Sequence, residues 1–223
     1  MSSAVDVGDD GRRTPLTRAR VLQAAVDLAD RDGLDSVSMR RLGQDLGIEA
    51  MSLYTHVRGK DDLLDGMVDA VVGEIPIDLE GPDWRTTLRR QVLVARSVML
   101  RHRWAARIIE TRSTPGPATL RYMEAVTGIL LNAFSVDLSH HAMHVLGSRV
   151  LGFSQDLYDD SSVPDPEVAA AYAAQLASVF PNIGAIAMAA SHEGGIGGCD
   201  DDYEFAFGLD LILDGLDRRS GRP

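Results

Sequence analysis

Apolar residues recur at three- and four-residue spacing through most of the chain, and the interruptions fall where helices should start and stop. Between residues 17 and 32, Val21, Leu22, Ala25, Leu28 and Ala29 form one stripe at the 3.6-residue period, which predicts a first helix. Ser38 is a good N-cap for a helix running to Leu46, and Gly47 stands where a helix end favours positive φ. Ile48 to His56 predicts a further short helix after a turn of a few residues, and Lys60-Asp61-Asp62-Leu63-Leu64 opens a fourth that should reach about Glu74. Two short helices around a glycine turn read as a helix-turn-helix, whose second helix can enter a DNA major groove. With Leu53 and Val57 facing the core, Ala50, Met51, Ser52, Tyr54, Thr55 and His56 are left exposed, where they can reach base edges and phosphates. An ordinary helical hairpin would offer the same face to solvent.

The pattern continues past a break. Ile75-Pro76 ends the fourth helix, and Asp78-Leu-Glu-Gly-Pro-Asp83 reads as a linker and the one convincing domain boundary. Helices are then expected over about 84–101, 104–112, 118–133 and 137–156. Asp159 to Pro166 reads as a loop, 167–180 as an Ala-rich helix, and Pro181 to Cys199 contains a Gly-rich loop. The last helix, 201–218, carries Phe205, Phe207, Leu209, Leu211, Ile212, Leu213 and Leu216 around too much of its circumference for one buried stripe. It should bury against a partner as well as its own core; complete burial inside a monomer is the alternative. Few β-branched runs and long Ala/Leu/Val patterns make the fold all-α. Residues 1–14, polar and without periodicity to Gly11, read as a disordered lead.

Charge changes the picture only once it is divided. The net charge of −11 is spread unevenly: residues 1–11 carry −3, residues 12–60 carry +3, and residues 61–223 carry −11. A positive head on a negative body suits one face approaching phosphate while the rest stays soluble. Arg12 and Arg13 could follow phosphates or enter a minor groove, or remain a solvated tail. Lys60, the only lysine, sits at a helix start where the dipole disfavours a cation, and a phosphate there would offset that. A single cysteine, Cys199, excludes an internal disulfide, and no run of 18 apolar residues or apolar leader is present. These features lead us to expect a soluble cytoplasmic protein with no membrane partner.

Catalytic readings find little support. His140 and His144 have the i, i+4 spacing of metal ligands but no third ligand nearby in sequence. Cys199 with His192 lacks a third group, and Gly194-Gly-Ile-Gly-Gly198 neither follows a strand nor opens a convincing helix. No catalytic residue, metal site or cofactor is expected.

Thr17 to Gly33, Ser38 to Leu46 and Leu53-Tyr-Thr-His-Val-Arg-Gly-Lys60-Asp-Asp-Leu-Leu64 together resemble the DNA-binding domain of the TetR (tetracycline-repressor-like) family, in register over about 50 residues. Asp83-Trp-Arg, Leu100-Arg-His-Arg-Trp104, Leu120-Arg-Tyr-Met-Glu124 and Phe207 to Gly215 more loosely resemble the C-terminal domain of the tetracycline-repressor type. The resemblance implies a head over 15–64, with its fourth helix as connector to about 75, and an effector-binding and dimerisation bundle over 83–218. It implies a homodimer joined through helices near 139–156 and 201–218, reading a palindromic double-stranded operator and released by a small molecule. On that reading Arg40 and Lys60 hold phosphate, Ala50, Met51, Ser52 and Thr55 lie nearest base edges, and Tyr54 and His56 bond the DNA backbone.

The implied effector cavity would draw on Gln91, Met99, Trp104, Ile109, Met123, Val126, Leu130, Met143, His144 and Ser148. Methionines and a tryptophan suit an apolar or aromatic ligand, though each could equally fill core. Ile109, Val126 and Ser148 stand where tetracycline and its magnesium would need polar ligands, while Gln91 and Asp156 roughly match polar positions. Tetracycline–magnesium is therefore not the expected effector. A TetR-like activator or constitutive DNA binder, and a helical ligand-binding or scaffolding protein, are the alternatives.

Overall fold

A computed structural model describes residues 15–112, 114–152, 166–189 and 201–221. The expected lead with Arg12 and Arg13, Asp156, most of the 159–166 loop, His192, the Gly194–Gly198 run and Cys199 lie outside them. The described regular elements are helical: α1 (Arg18–Asp32), α2 (Met39–Leu46), α3 (Ala50–Leu53), α4 (Lys60–Gly73), α5 (Trp84–Arg101), α6 (Trp104–Ile109), α7 (Pro117–Ala133), α8 (Val136–Leu151), α9 (Pro166–Val179), α10 (Pro181–Ala189) and α11 (Asp201–Arg219), with a 3-10 turn at Leu34–Ser36. No described helix is long and apolar enough to cross a membrane.

Local chemistry explains the boundaries. Thr17 Oγ1 accepts from the N–H of Arg20 at 3.2 Å and Ser38 Oγ from that of Arg41 at 3.3 Å, so both helices start on hydroxyl caps. Asp83 does the same for α5, its Oδ1 accepting from the N–H of Thr86 at 2.7 Å. One sequence expectation needs correction. The helix expected over 48–56 closes after Leu53, because the N–H groups of Tyr54, Thr55 and His56 turn back to carbonyls only three residues earlier. Pro181 opens α10: proline at a first helical position is already set for a helix, and Ala and Met favour one, while the clustered glycines come only at 194.

The chain divides into two compact units, Met1–Glu74 with Leu100–Leu120 and Ile75–Met99 with Arg121–Pro223. Residues 100–120 belong with the first unit because polar side chains tie them there. Trp104 Nε1 donates to Asp30 at 2.6 Å, and the buried His102 ring has Nδ1 2.8 Å from Asp30 and Nε2 3.3 Å from Glu74. Asp69 on α4 accepts from the N–H groups of Ala118 at 2.8 Å and Thr119 at 3.0 Å, capping α7 from another helix. Arg112 pairs with Asp61 and Asp65 of α4, each at 3.2 Å.

The second unit is built around a core of Leu88 and Val92 from α5, Val126 and Leu130 from α7, Ala142 and Leu146 from α8, and Phe205, Leu209 and Leu213 from α11. Trp84 meets Phe134 edge-on, with ring centroids 4.7 Å apart. The buried Phe205 ring lies between two guanidinium groups, Arg96 at 4.6 Å and Arg149 at 4.7 Å from its centroid. Arg89 pairs with Asp210 at 2.8 Å, joining α5 to α11 along their exposed edge.

A candidate DNA-reading surface

The candidate surface is assembled by the turn between α2 and α3. Gly47 adopts φ 66° and ψ 36°, the left-handed conformation that glycine enters without a Cβ clash, and its N–H returns to Gln44. The N–H of Ile48 then reaches Gly43 O at 2.9 Å. At Gly43 the backbone beyond the turn comes close: a Cβ added there would lie 2.9 Å from Ile48 O and 3.2 Å from the Ala50 backbone. Absence of a side chain at 43 is what lets α3 settle against α2.

Leu53 and Val57 are the anchors expected of them, at 0% and 1% exposure. Their burial turns Met51 outward, at 75% exposure, together with Ser52, Tyr54 and Thr55; Ala50 and His56 are half-buried beside them. Thr55 already uses its hydroxyl hydrogen, donating to Ser52 O at 2.7 Å, so toward a phosphate or base it has acceptor lone pairs to offer. Arg40 is exposed on α2, and Lys60 is exposed at the first position of α4. Gly59, the N-cap of α4, holds φ 150° and supplies no side-chain cap, so the amide end of that helix is closed by no hydroxyl or carboxylate of its capping residue. All eight residues read from the sequence as DNA-contacting lie on α2, on α3 with its exit turn, or at the start of α4.

Sequence reasoning missed how that exit is held. Arg18 on α1 donates from Nη1 to His56 O at 2.8 Å and pairs with both carboxylate oxygens of Asp62 at 2.9 and 2.8 Å. Asp62 also accepts from the N–H of Arg58 at 2.8 Å. These bonds, the guanidinium first and the amide second, hold the Asp62 carboxyl down at about 2. An acid three residues past Gly59 is a readable hint of a reach-back contact, but a partner 44 residues away leaves no local trace.

The effector candidates are placed more diversely. Val126 and Leu130 belong to the core of the second unit, with Met143 packed against it. Gln91 is 1% exposed; its Nε2 donates to Asp78 O at 2.9 Å while its Oε1 has no hydrogen-bond partner among the described residues. Met99 is buried, whereas Met123, His144 and Ser148 are exposed. In the first unit, Trp104 is committed to Asp30, and Ile109 lines a cavity of about 80 Å³ with Val68 and Arg112, too small for a drug-sized ligand. A polar groove of about 640 Å³ beside the α7–α8 turn, lined in part by Asn132, Asp137, His141 and Arg219, contains none of the ten. The His140 and His144 rings lie 4.7 Å apart edge-on, and no cluster of three or more potential metal ligands occurs among the described residues.

Comparison with known proteins adds an independent line. Residues 21–67 match the family model for bacterial regulatory proteins of the tetR family, and residues 76–220 that for the tetracyclin repressor-like C-terminal domain. The HTH-type transcriptional repressor DrrR1 of Streptomyces coeruleorubidus is 33% identical over 216 residues, covering 93% of this chain and 79% of that one. An HTH-type transcriptional regulator of Saccharopolyspora erythraea is 44% identical over 119 residues, a match spanning 53% of this chain and half of that protein. The crystal structure of apo ActR from Streptomyces coelicolor superposes with a TM-score of 0.72 at 31% identity, covering 94% of this chain and all of that one. ActR has also been solved in complex with actinorhodin.

Proposed function

The chain belongs to the TetR family, a family of DNA-binding transcriptional regulators, and from that premise we propose that it is a homodimeric repressor released from a palindromic operator by a small-molecule effector. The observation that carries the DNA-reading half is the exposed row of Met51, Ser52, Tyr54 and Thr55 raised on the buried Leu53 and Val57, with Lys60 beside it. Ala50, Met51, Ser52 and Thr55 face base edges; Arg40, Tyr54, His56 and Lys60 take the backbone.

Dimerisation through α8 and α11 is supported by apolar side chains left uncovered in the second unit. Tyr203, Phe207 and Leu211 recur every four residues on α11 at 61%, 52% and 52% exposure, and Val136 and Val145 are exposed on α8. Such a stripe suits a second copy, and two-fold symmetry would present two reading helices to two half-sites. The effector half is supported by Gln91, a buried amide of α5 with an acceptor left over. That ActR, a relative of similar fold, is solved with a small molecule is consistent with an effector here.

Binding to duplex DNA across a salt series, with Tyr54→Ala alongside, tests the first half. Saturable binding to a preferred sequence, lost in Tyr54→Ala, is the expected result; equal weak binding to all duplexes would refute it. For the second half, apolar and aromatic compounds are screened for release of the bound duplex, with Gln91→Leu as the control that should blunt release. A compound that binds tightly yet leaves operator affinity unchanged is not the effector.

A further inference from the structure

We propose that Arg18 and Asp62 are positioning residues for sequence reading: the pair fixes the exit of α3 against the start of α4 and acts through that placement. The inference rests on the reading of α2 and α3 as the DNA-binding surface. Its basis is a convergence of bonds on one short link. From α1, the Arg18 guanidinium takes hold of His56 O at 2.8 Å and of the Asp62 carboxylate at 2.8 and 2.9 Å, and Asp62 in turn accepts from the N–H of Arg58 at 2.8 Å. Residues 56, 58 and 62 are thereby stitched to one another and to a third helix.

The stitched link is one that would otherwise be loosely determined. Gly59 sits at φ 150°, in a region glycine alone enters freely, and the start of α4 has no side-chain cap from that residue. Tyr54, Thr55 and His56 lie on single turns rather than inside a helix. Freedom at Gly59 would pass directly to His56 on one side and Lys60 on the other, the residues proposed to meet the DNA backbone. The fork geometry of an arginine–carboxylate pair is suited to holding such a link in one register. Room for it is provided by Gly66, where a Cβ would lie 3.2 Å from Arg18 Nη2 and 2.5 Å from Leu22 Cδ2.

Charge and geometry make opposite predictions, which isolates the proposal. Asp62 places a negative charge close to the proposed phosphate face and cancels the positive charge of Arg18. By charge alone, Asp62→Asn should tighten binding to any duplex. By geometry, it should cost affinity for the preferred sequence.

In the experiment, the full-length wild-type protein first selects a preferred duplex from a randomised pool. Wild type, Asp62→Asn and the charge-matched Arg18→Lys are then titrated on that duplex and on a scrambled one over a salt series, with thermal melts of each variant. The expected result for Asp62→Asn is a roughly ten- to hundredfold loss on the preferred duplex, the scale of a lost charge-assisted hydrogen bond, with equal or tighter binding to the scrambled one. Arg18→Lys should lose a similar factor on the preferred duplex with an unchanged salt slope. Tighter binding of Asp62→Asn to both duplexes, or Arg18→Lys behaving as wild type, overturns the proposal. An equal loss on both duplexes, accompanied by a lowered melting temperature, overturns it too, since unfolding would then account for the effect. Failure of the wild type to enrich any sequence would instead bring down the DNA-reading function itself, and with it anything the pair could position.

Discussion

Gly43→Ala puts one methyl group into the contact between the two short helices of the head. Built on the present backbone, that carbon lies 2.9 Å from Ile48 O and 3.2 Å from the Ala50 Cα and N. Each neighbour is backbone, so no rotamer change relieves the overlap; α3 must move by some tenths of an ångström. Alanine in place of glycine inside a helix favours the helix by about 1 kcal/mol. Overpacking a close contact costs about 1–3 kcal/mol. The net is a destabilisation of roughly 0–2 kcal/mol, small enough for the protein to stay folded. The larger effect falls on DNA binding, because Met51 and Ser52 ride on the helix that is displaced. Urea unfolding and operator titration on the same preparation measure both. The expected outcome is a slightly lower midpoint with an unchanged m-value and at least a tenfold loss of sequence-specific affinity. A variant about 1 kcal/mol more stable than wild type with full DNA affinity would refute the reasoning, since the helix preference alone would then have decided the result.

Other substitutions probe separate parts. Because the Asp62 carboxyl is held at about 2, below its ordinary 3.8, its contribution to stability is complete above about pH 4 and is lost as pH falls through 2; Asp62→Asn should flatten that portion of the acid-unfolding curve, read by circular dichroism. Asp69→Ala removes the acceptor shared by the N–H groups of Ala118 and Thr119 and should cost about 1–2 kcal/mol, with faster amide exchange at those two positions. Phe205→Leu keeps the site apolar but withdraws the ring from Arg96 and Arg149, for an expected loss of about 1–2 kcal/mol in urea unfolding; a midpoint equal to wild type would mean that the two guanidinium groups gain nothing from the ring.

How far the sequence could be read depended on the range of the interaction. Thr17, Ser38 and Asp83 announce their helices because a cap acts over three residues, and Gly47 announces the turn because only its own backbone is involved. Leu53 and Val57 were legible for the same reason, a four-residue spacing on one helical face. The segment from 100 to 120 was not. It joins the first unit through Asp30–Trp104, Asp30–His102 and Asp69–Ala118, contacts whose partners are 49 to 74 residues apart and so leave no local spacing to read. The exposed face of α3 was legible by periodicity and the Arg18–Asp62 pair beneath its exit was not, since Arg18 on an exposed first turn looks like any other arginine. Effector candidates were least legible: the Met, Val and Leu that would line an apolar cavity have the same spacing as those that fill a core, and Val126 and Leu130 do fill it.

Lys60 stands exposed at the first position of α4, and no other residue of the chain bears a side-chain amine. Amine-directed acylation would therefore leave, besides any α-amino group, a single adduct on the polypeptide, placed beside the surface assigned to DNA. The extent of that one reaction, followed by intact mass, becomes a footprint with one channel: shielding by duplex reports occupancy, and its return on adding a compound reports release, with no labelled nucleic acid required.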